Sequence, residues 1–161
     1  NQTAAARLQN QREEGISEKT YLAAVSGFMP VDEDGAFHRI SVPLAPDPDN
    51  RLKMVVSTDG TLPGSKHAET LYSVLKSTGP DVAAPASLVM LRLKTGRTHQ
   101  IRVHLQYLGH PLVGDYLYNP DMEYINRQAL HSWKLSFIHP ITGEAMHFEA
   151  PLPEDMRKVL E

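Results

Sequence analysis

The chain has 161 residues, of which 41% are hydrophobic and 22% charged, the proportions of one ordinary globular domain. No apolar run approaches membrane-spanning length, and no signal-peptide pattern opens the chain. It contains no cysteine, which excludes disulfides and thiolate metal ligands and leads us to expect a cytoplasmic protein. The net charge of -3 argues against a protein that coats nucleic acid by bulk attraction, so any such contact must rely on local charge.

The first half of the chain predicts a short helix followed by strands. Thr3 is a possible N-cap for a helix that ends near Gly15. Glu18–Ser26 alternates apolar side chains between two faces and is predicted to be a buried strand. Residues 36–42 predict another strand, and prolines make residues 43–50 a loop. Residues 52–57 and 66–75 are then expected to pair as a hairpin.

The second half is dominated by a strand, turn and helix over residues 87–108. Residues 87–94 have the period of a strand, Thr98 is a good N-cap, and Gly109 suits the left-handed position past a helix end. Residues 119–122 predict a turn, residues 130–138 and 145–150 a hairpin, and Pro153 the start of a closing helix. This order predicts a single α+β domain over residues 1–161, with a mixed or largely antiparallel sheet and a few helices.

Residues 91–109 contain six basic or imidazole side chains, and no acidic residue occurs between Leu91 and Gly114. At the predicted helix N-terminus, where N–H groups and partial positive charge face outward, four residues are expected to converge on a phosphate: Arg97, Thr98, His99 and Gln100. His99, Arg102 and Gln106 share a flank that we expect to face a cleft, opposite an apolar flank. The alternative is a solvated basic surface, which is the ordinary meaning of a charge run.

The sequence T-G-R-T-H-Q-I-R-V-H-L, followed by L-G-H-P-L-V-G-D and Tyr118, resembles the signature of the RluA-type pseudouridine synthases. Further matches are E-K-T-Y ending at Tyr21, H-A-E-T-L-Y-S-V from His67, and L-H-S-W-K-L-S-F-I-H-P from Leu130. The resemblance implies a pseudouridine-synthase-like catalytic domain that isomerises uridine in structured RNA. It places Arg102 where the family has the basic residue that pairs with the catalytic aspartate. It also makes Tyr21, otherwise a core aromatic, the active-site tyrosine that stacks on the target base.

The chain departs from that family in one respect: no R-L-D-x-x-T-S-G motif, which carries the nucleophilic aspartate, occurs between Asn1 and Glu161. We therefore expect part of a longer enzyme that acts on ribosomal or transfer RNA, with the motif and possible accessory RNA-binding domain upstream. The chain alone is predicted to be inactive. Asp115, after Gly114, is the only carboxylate that spacing nominates, although such a residue usually caps a turn.

Neither metal nor nucleotide cofactor is expected. His99 and His104 are too far apart around a helix to share a metal ion, and no phosphate-cradling glycine motif occurs. Lys66 and His131 complete the candidate RNA contacts, although a lone lysine at a strand end is ordinarily solvated. Two other functions stay open: a non-catalytic RNA-binding module, and a phosphate-ester enzyme that uses His99 and Asp115.

Overall fold

The computed structural model describes residues 1–120 and 124–161 and shows three helices and eight strands in this part of the chain. The helices are α1 (Gln2–Glu13), α2 (Gln100–Tyr107) and α3 (Glu154–Lys158). The strands are β1 (Glu18–Ser26), β2 (His38–Ser41), β3 (Leu44–Pro46), β4 (Met54–Val56), β5 (Glu69–Ser77), β6 (Ala86–Leu93), β7 (Leu130–Ile138) and β8 (Ala145–Glu149).

Six of these strands form one sheet in the order β2-β5-β6-β1-β7-β8, and β3 pairs with β4 in a separate ribbon. Every pairing is antiparallel. The expected α+β class with a largely antiparallel sheet is therefore confirmed. None of the described helices is long and apolar enough to cross a bilayer.

The two faces of the sheet are covered by different helices. In the register, Tyr21 lies opposite Leu91, and Leu91 lies opposite Tyr72, so these three residues form one row across the sheet. On this face the sheet packs against Ile101 and Leu105 of α2. On the other face, Leu22 and its neighbours pack against Leu160, just beyond α3. The sheet register thus places Tyr21 on the face that carries α2.

Several local predictions are confirmed because their signals lie within a few residues. β1 has the predicted bounds, and the terminal hairpin and closing helix are present. Gly109 has a φ of +83°, the left-handed conformation expected after a helix end. The predicted turn at residues 119–122 lies partly outside the described residues.

Four local predictions are wrong. The cap of α1 is Asn1, whose side chain accepts the N–H of Ala4, and not Thr3. Residues 43–50 are not all loop, because β3 lies within them and pairs with β4. For the same reason residues 52–57 and 66–75 do not form a hairpin with each other. Finally, Thr98 does not cap α2, since the residue at that position is His99.

Candidate functional site

The centre of the site is a buried ion pair between Arg102 of α2 and Asp115. The Nε and Nη2 atoms of Arg102 each donate a 2.7 Å hydrogen bond, to Oδ2 and Oδ1 of Asp115 respectively. The side chains are 8% and 0% exposed. This bidentate geometry is the strongest that a guanidinium and a carboxylate can form, and it fixes the orientation of the guanidinium plane.

Asp115 also organises the loop in which it lies. Its Oδ1 atom accepts the backbone N–H groups of Leu117 and Tyr118, at 3.1 and 3.2 Å. Burial raises the pKa of Asp115, but the bonds and charge of Arg102, together with these N–H groups, lower it below the usual value. A buried carboxylate with both oxygens occupied is a poor base and a poor nucleophile. The interpretation of Asp115 as a turn-capping residue is thus supported. Asp115 is therefore unsuited to the catalytic role that the hypothesis of a phosphate-ester enzyme gave it.

The guanidinium of Arg102 lies near two aromatic rings. Its Cζ atom is 4.9 Å from the ring centroid of Tyr118 and 5.9 Å from that of Tyr116. Gln106, one turn further along α2, donates to the carbonyl of Tyr118 at 3.2 Å. The loop of residues 114–118 therefore covers the polar flank of α2 at Arg102, whereas Gln106 on the same flank is exposed.

His99, just before α2, is the one non-glycine residue with a positive φ in the described part of the chain, with φ 54° and ψ 19°. Side chains other than glycine adopt this conformation at a cost, and such strain concentrates at functional sites. The Nδ1 atom of His99 lies 2.8 Å from the hydroxyl of Tyr118, and the two rings meet edge to face. Burial and the charge of Arg102 lower the pKa of His99, so its imidazole is neutral at pH 7.

Gln100 is not free to bind RNA as the sequence suggested. Its side chain is 2% exposed and is fully engaged within the protein. Its Oε1 accepts the Thr95 hydroxyl and the Arg97 N–H, while its Nε2 donates to the Glu69 carbonyl and to Thr70 Oγ1. Gln100 therefore fixes the turn before α2 against β5. The prediction that its side chain contacts an anion is replaced by this structural role.

Three of the predicted RNA contacts line one groove beside the start of α2. Lys66, Arg97 and Thr98 surround a cavity of about 320 Å³ together with Gly96 and side chains of β3 and β4. Nε of Arg97 donates to the carbonyl of His67 at 3.0 Å, which holds the guanidinium at the rim. Arg12 of α1 also reaches this place, since its guanidinium lies against Gly96. Three positive charges, those of Lys66, Arg97 and Arg12, thus lie at this groove in a protein that is acidic overall.

Tyr21 and His131 lie on different faces of the sheet. Tyr21 is half-buried on the α2 face, where it packs against the cluster that contains Ile101, the neighbour of Arg102. His131 pairs with Leu22 in the register and so points to the α3 face, where its Nε2 lies 2.9 Å from the carbonyl of Ala150. The structure therefore separates His131 from the other candidate residues.

Sequence reasoning assigned no role to the two tyrosines of the 114–118 loop, although Tyr118 belongs to the family signature quoted above. Tyr118 is 5% exposed and bonds to His99, while Tyr116 is 71% exposed beside Arg102. The available signal was the spacing D-Y-L-Y, because a carboxylate that caps a turn brings the next three residues around it. Among residues 1–120 and 124–161, no three potential metal ligands converge.

Comparison with known proteins gives consistent matches. The family described as RNA pseudouridylate synthase matches residues 1–107. An uncharacterized RNA pseudouridine synthase of Bacillus subtilis, YjbO, is 42% identical over 154 residues, covering 96% of this chain and 50% of the relative. A ribosomal large subunit pseudouridine synthase D of Neisseria meningitidis is 38% identical over 162 residues, covering 93% of this chain and 40% of the relative. The chain spans about half the length of the curated relatives it matches.

Two solved human structures resemble this chain. Human RNA Pseudouridylate Synthase Domain Containing 1 superposes with a TM-score of 0.75 at 29% identity, covering 94% of this chain and 61% of that one. Human RNA Pseudouridylate Synthase Domain Containing 4 gives a TM-score of 0.69 at 22% identity, covering 99% and 67%, and shows the shared fold alone. By sequence and by fold, this chain belongs to the RNA pseudouridylate synthase family.

Proposed function

We propose that the chain is the part of an RNA pseudouridine synthase that binds structured RNA, holds Arg102 in place for the catalytic aspartate and presents Tyr21 to the target uridine. The observation that carries the proposal is the rigid, buried Arg102 beside a basic groove in a chain of this family. The reaction detaches uracil from the ribose and rejoins it through C5. Because positive charge develops on the ribose carbon, the site needs a carboxylate.

Asp115 does not supply that carboxylate, because it is 0% exposed and both its oxygens are bonded. Arg102 nevertheless keeps donors for a second anion. A guanidinium carries five N–H groups, and the pairing with Asp115 uses only one on Nε and one on Nη2. We therefore propose that Arg102 is held by Asp115 on one edge and pairs with the nucleophilic aspartate through another. That aspartate is contributed by residues outside these 161.

RNA is held by the groove of Lys66, Arg97 and Thr98, because phosphate contacts from basic side chains position nucleic acid without reading sequence. Tyr116, exposed beside Arg102, offers a face on which an unstacked base can stack. The name of the Neisseria relative favours large-subunit ribosomal RNA over transfer RNA as substrate. We place the reaction in the cytoplasm, and an accessory RNA-binding domain upstream is part of the proposal.

Salt dependence tests the groove. Replacing Arg97 by alanine should weaken binding of a ribosomal RNA transcript and reduce the slope of log affinity against log salt by about 1. Lys158→Ala, which removes a lysine from α3 on the other face, is the matched control and should leave the slope unchanged. Equal slopes for wild type and Arg97→Ala would contradict the assignment of the groove.

Turnover tests the enzymatic part of the proposal. In a tritium-release assay on structured RNA, the complete reading frame should convert uridine, and the 161-residue chain should bind RNA without turnover. Conversion by the chain alone would refute the claim that the nucleophile lies elsewhere. If the complete reading frame also binds without converting uridine, the protein is instead an RNA-binding module derived from such an enzyme.

A further inference from the structure

Tyr118 uses its hydroxyl group to join three parts of the chain. The backbone N–H of Met54, in β4, donates to the hydroxyl oxygen at 2.9 Å. The same oxygen lies 2.8 Å from Nδ1 of His99. The oxygen could accept a second donor, but the buried hydroxyl proton of Tyr118 would then have no partner, because among the described residues Nδ1 of His99 is the only acceptor within reach.

This arrangement fixes the tautomer of the imidazole. Nδ1 of His99 accepts the hydrogen bond that the Tyr118 hydroxyl donates, so the ring proton of the neutral imidazole resides on Nε2. Within the described part of the chain, Nε2 makes no hydrogen bond, and the side chain is half-buried. The Nε2–H group of His99 is therefore available to donate a hydrogen bond to a bound molecule.

The backbone conformation of His99 also indicates a functional role for this residue. A left-handed conformation at a residue other than glycine is retained only where the surroundings enforce it, and it clusters where function requires it. His99 directly follows Arg97 and Thr98, which line the basic groove. Arg97 therefore attracts anions to a groove beside His99, and a phosphate oxygen accepts an N–H bond readily.

We infer that Tyr118 is a positioning residue that locks His99 in its Nε2–H form, and that His99 thereby donates a hydrogen bond to a phosphate oxygen of the RNA. The inference rests on the proposed function for the identity of the ligand. It assigns the contact to a neutral donor, in contrast to the cationic contacts of Lys66 and Arg97. Tyr118 itself, 5% exposed, does not touch the RNA.

The lock is tested on the free protein by long-range ¹H–¹⁵N correlation spectra of the imidazoles at pH 7.5. His99 should show a protonated Nε2 and an unprotonated Nδ1. The His99 signal is assigned from its loss in the His99→Asn variant, because asparagine tolerates the left-handed conformation. Tyr118→Phe should produce a mixture of tautomers, whereas Tyr107→Phe, which removes an exposed hydroxyl from α2, should not. An Nδ1–H tautomer in the wild type would overturn the inference, whatever the variants do.

The contact is tested by binding of a large-subunit ribosomal RNA transcript over a range of salt. His99→Asn should weaken binding about tenfold at every salt concentration, with an unchanged salt slope, because a neutral donor displaces no counterion. His147→Asn, an exposed histidine on β8, is the control and should bind as the wild type does. A slope reduced by about 1 would mean that His99 binds as a cation, and would overturn the inference.

The outcomes separate the two proposals. If the wild-type chain binds RNA and His99→Asn binds equally well, the inference fails and the proposed function stands. If the wild type does not bind RNA at all, both fail, while the imidazole spectrum still reports whether the tautomer is locked.

Discussion

Replacing Asp115 by asparagine removes one charge from the centre of the site with almost no change in volume. The amide oxygen can still cap the turn, but the amide N–H₂ group would face an N–H of Arg102, which now lacks a counter-ion. Both side chains are buried, at 8% and 0% exposure, so water cannot replace the lost partner. Breaking one side of such a pair costs about 3–5 kcal/mol, a large part of the stability of a domain this size.

The free energy of unfolding from urea titration, followed by circular dichroism, measures this loss. Asp155→Asn is a matched control, because Asp155 forms a bidentate pair with Arg127 of almost the same geometry, at 2.9 and 2.8 Å, but at 43% exposure. Removal of that exposed charge should cost only about 0–1 kcal/mol. The reasoning is refuted if both variants lose the same stability. If Asp115→Asn does not fold, the double variant Arg102→Met with Asp115→Asn should recover stability, because it leaves no buried charge unpaired and keeps an amide oxygen for the N–H groups of the turn.

Three further outcomes follow from the geometry. Gly114 has a φ of +70°, and an added Cβ would lie 2.6 Å from the carbonyl oxygen of Ile125, so Gly114→Ala should cost about 1–3 kcal/mol in urea unfolding; an unchanged midpoint would show that the loop can relax. Burial lowers the pKa of His104 from 6.5, so the unfolded chain binds a proton first as pH falls, and stability should decline below about pH 6.5; His104→Gln should flatten this decline, and an identical pH profile would contradict it. Tyr116→Ala should weaken RNA binding by about 1–3 kcal/mol through lost stacking, while Tyr107→Ala, on an exposed part of α2, should not.

The sequence predicted those parts of the fold whose causes are local. The side chains of β1 alternate over nine residues and the strand ends just before Gly27, so its bounds follow from its own pattern. The left-handed conformation of Gly109 can be predicted from its position just after a helix end. By contrast, β3 has three residues and exists because β4 pairs with it, and a strand that short carries no period of its own.

At the site, the sequence identified several of the important residues, but it did not show which of them bond to each other. Asp115 was correctly interpreted as a turn residue, but its second role depends on the loop folding back onto α2, 13 residues away from Arg102. The flank that was expected to face a cleft is covered by this loop at Arg102. Gln100 was misplaced for a similar reason, since a side chain at a helix start can turn inward if a neighbouring strand presents partners.

The prediction for His131 depended on the register of a neighbouring strand. Alternation places His131 and Trp133 on one face of β7, but the sequence alone does not say which helix covers that face. The register between β1 and β7 shifts at Thr20 and Tyr21, and His131 then lies opposite Leu22. A shift of one residue exchanges the two faces of a strand, so only the pairing itself determines where such a side chain points.

The most direct test of the central claim is a pseudouridine map of ribosomal and transfer RNA from cells lacking the complete gene, compared with cells complemented by the wild-type or the Arg102→Lys gene. Lysine keeps the charge of Arg102 but cannot reproduce its bidentate pairing. We predict that at least one pseudouridine disappears on deletion, returns with the wild-type gene and does not return with Arg102→Lys, at equal protein level. Identical maps in the deletion and wild-type cells, or full restoration by Arg102→Lys, would contradict the account.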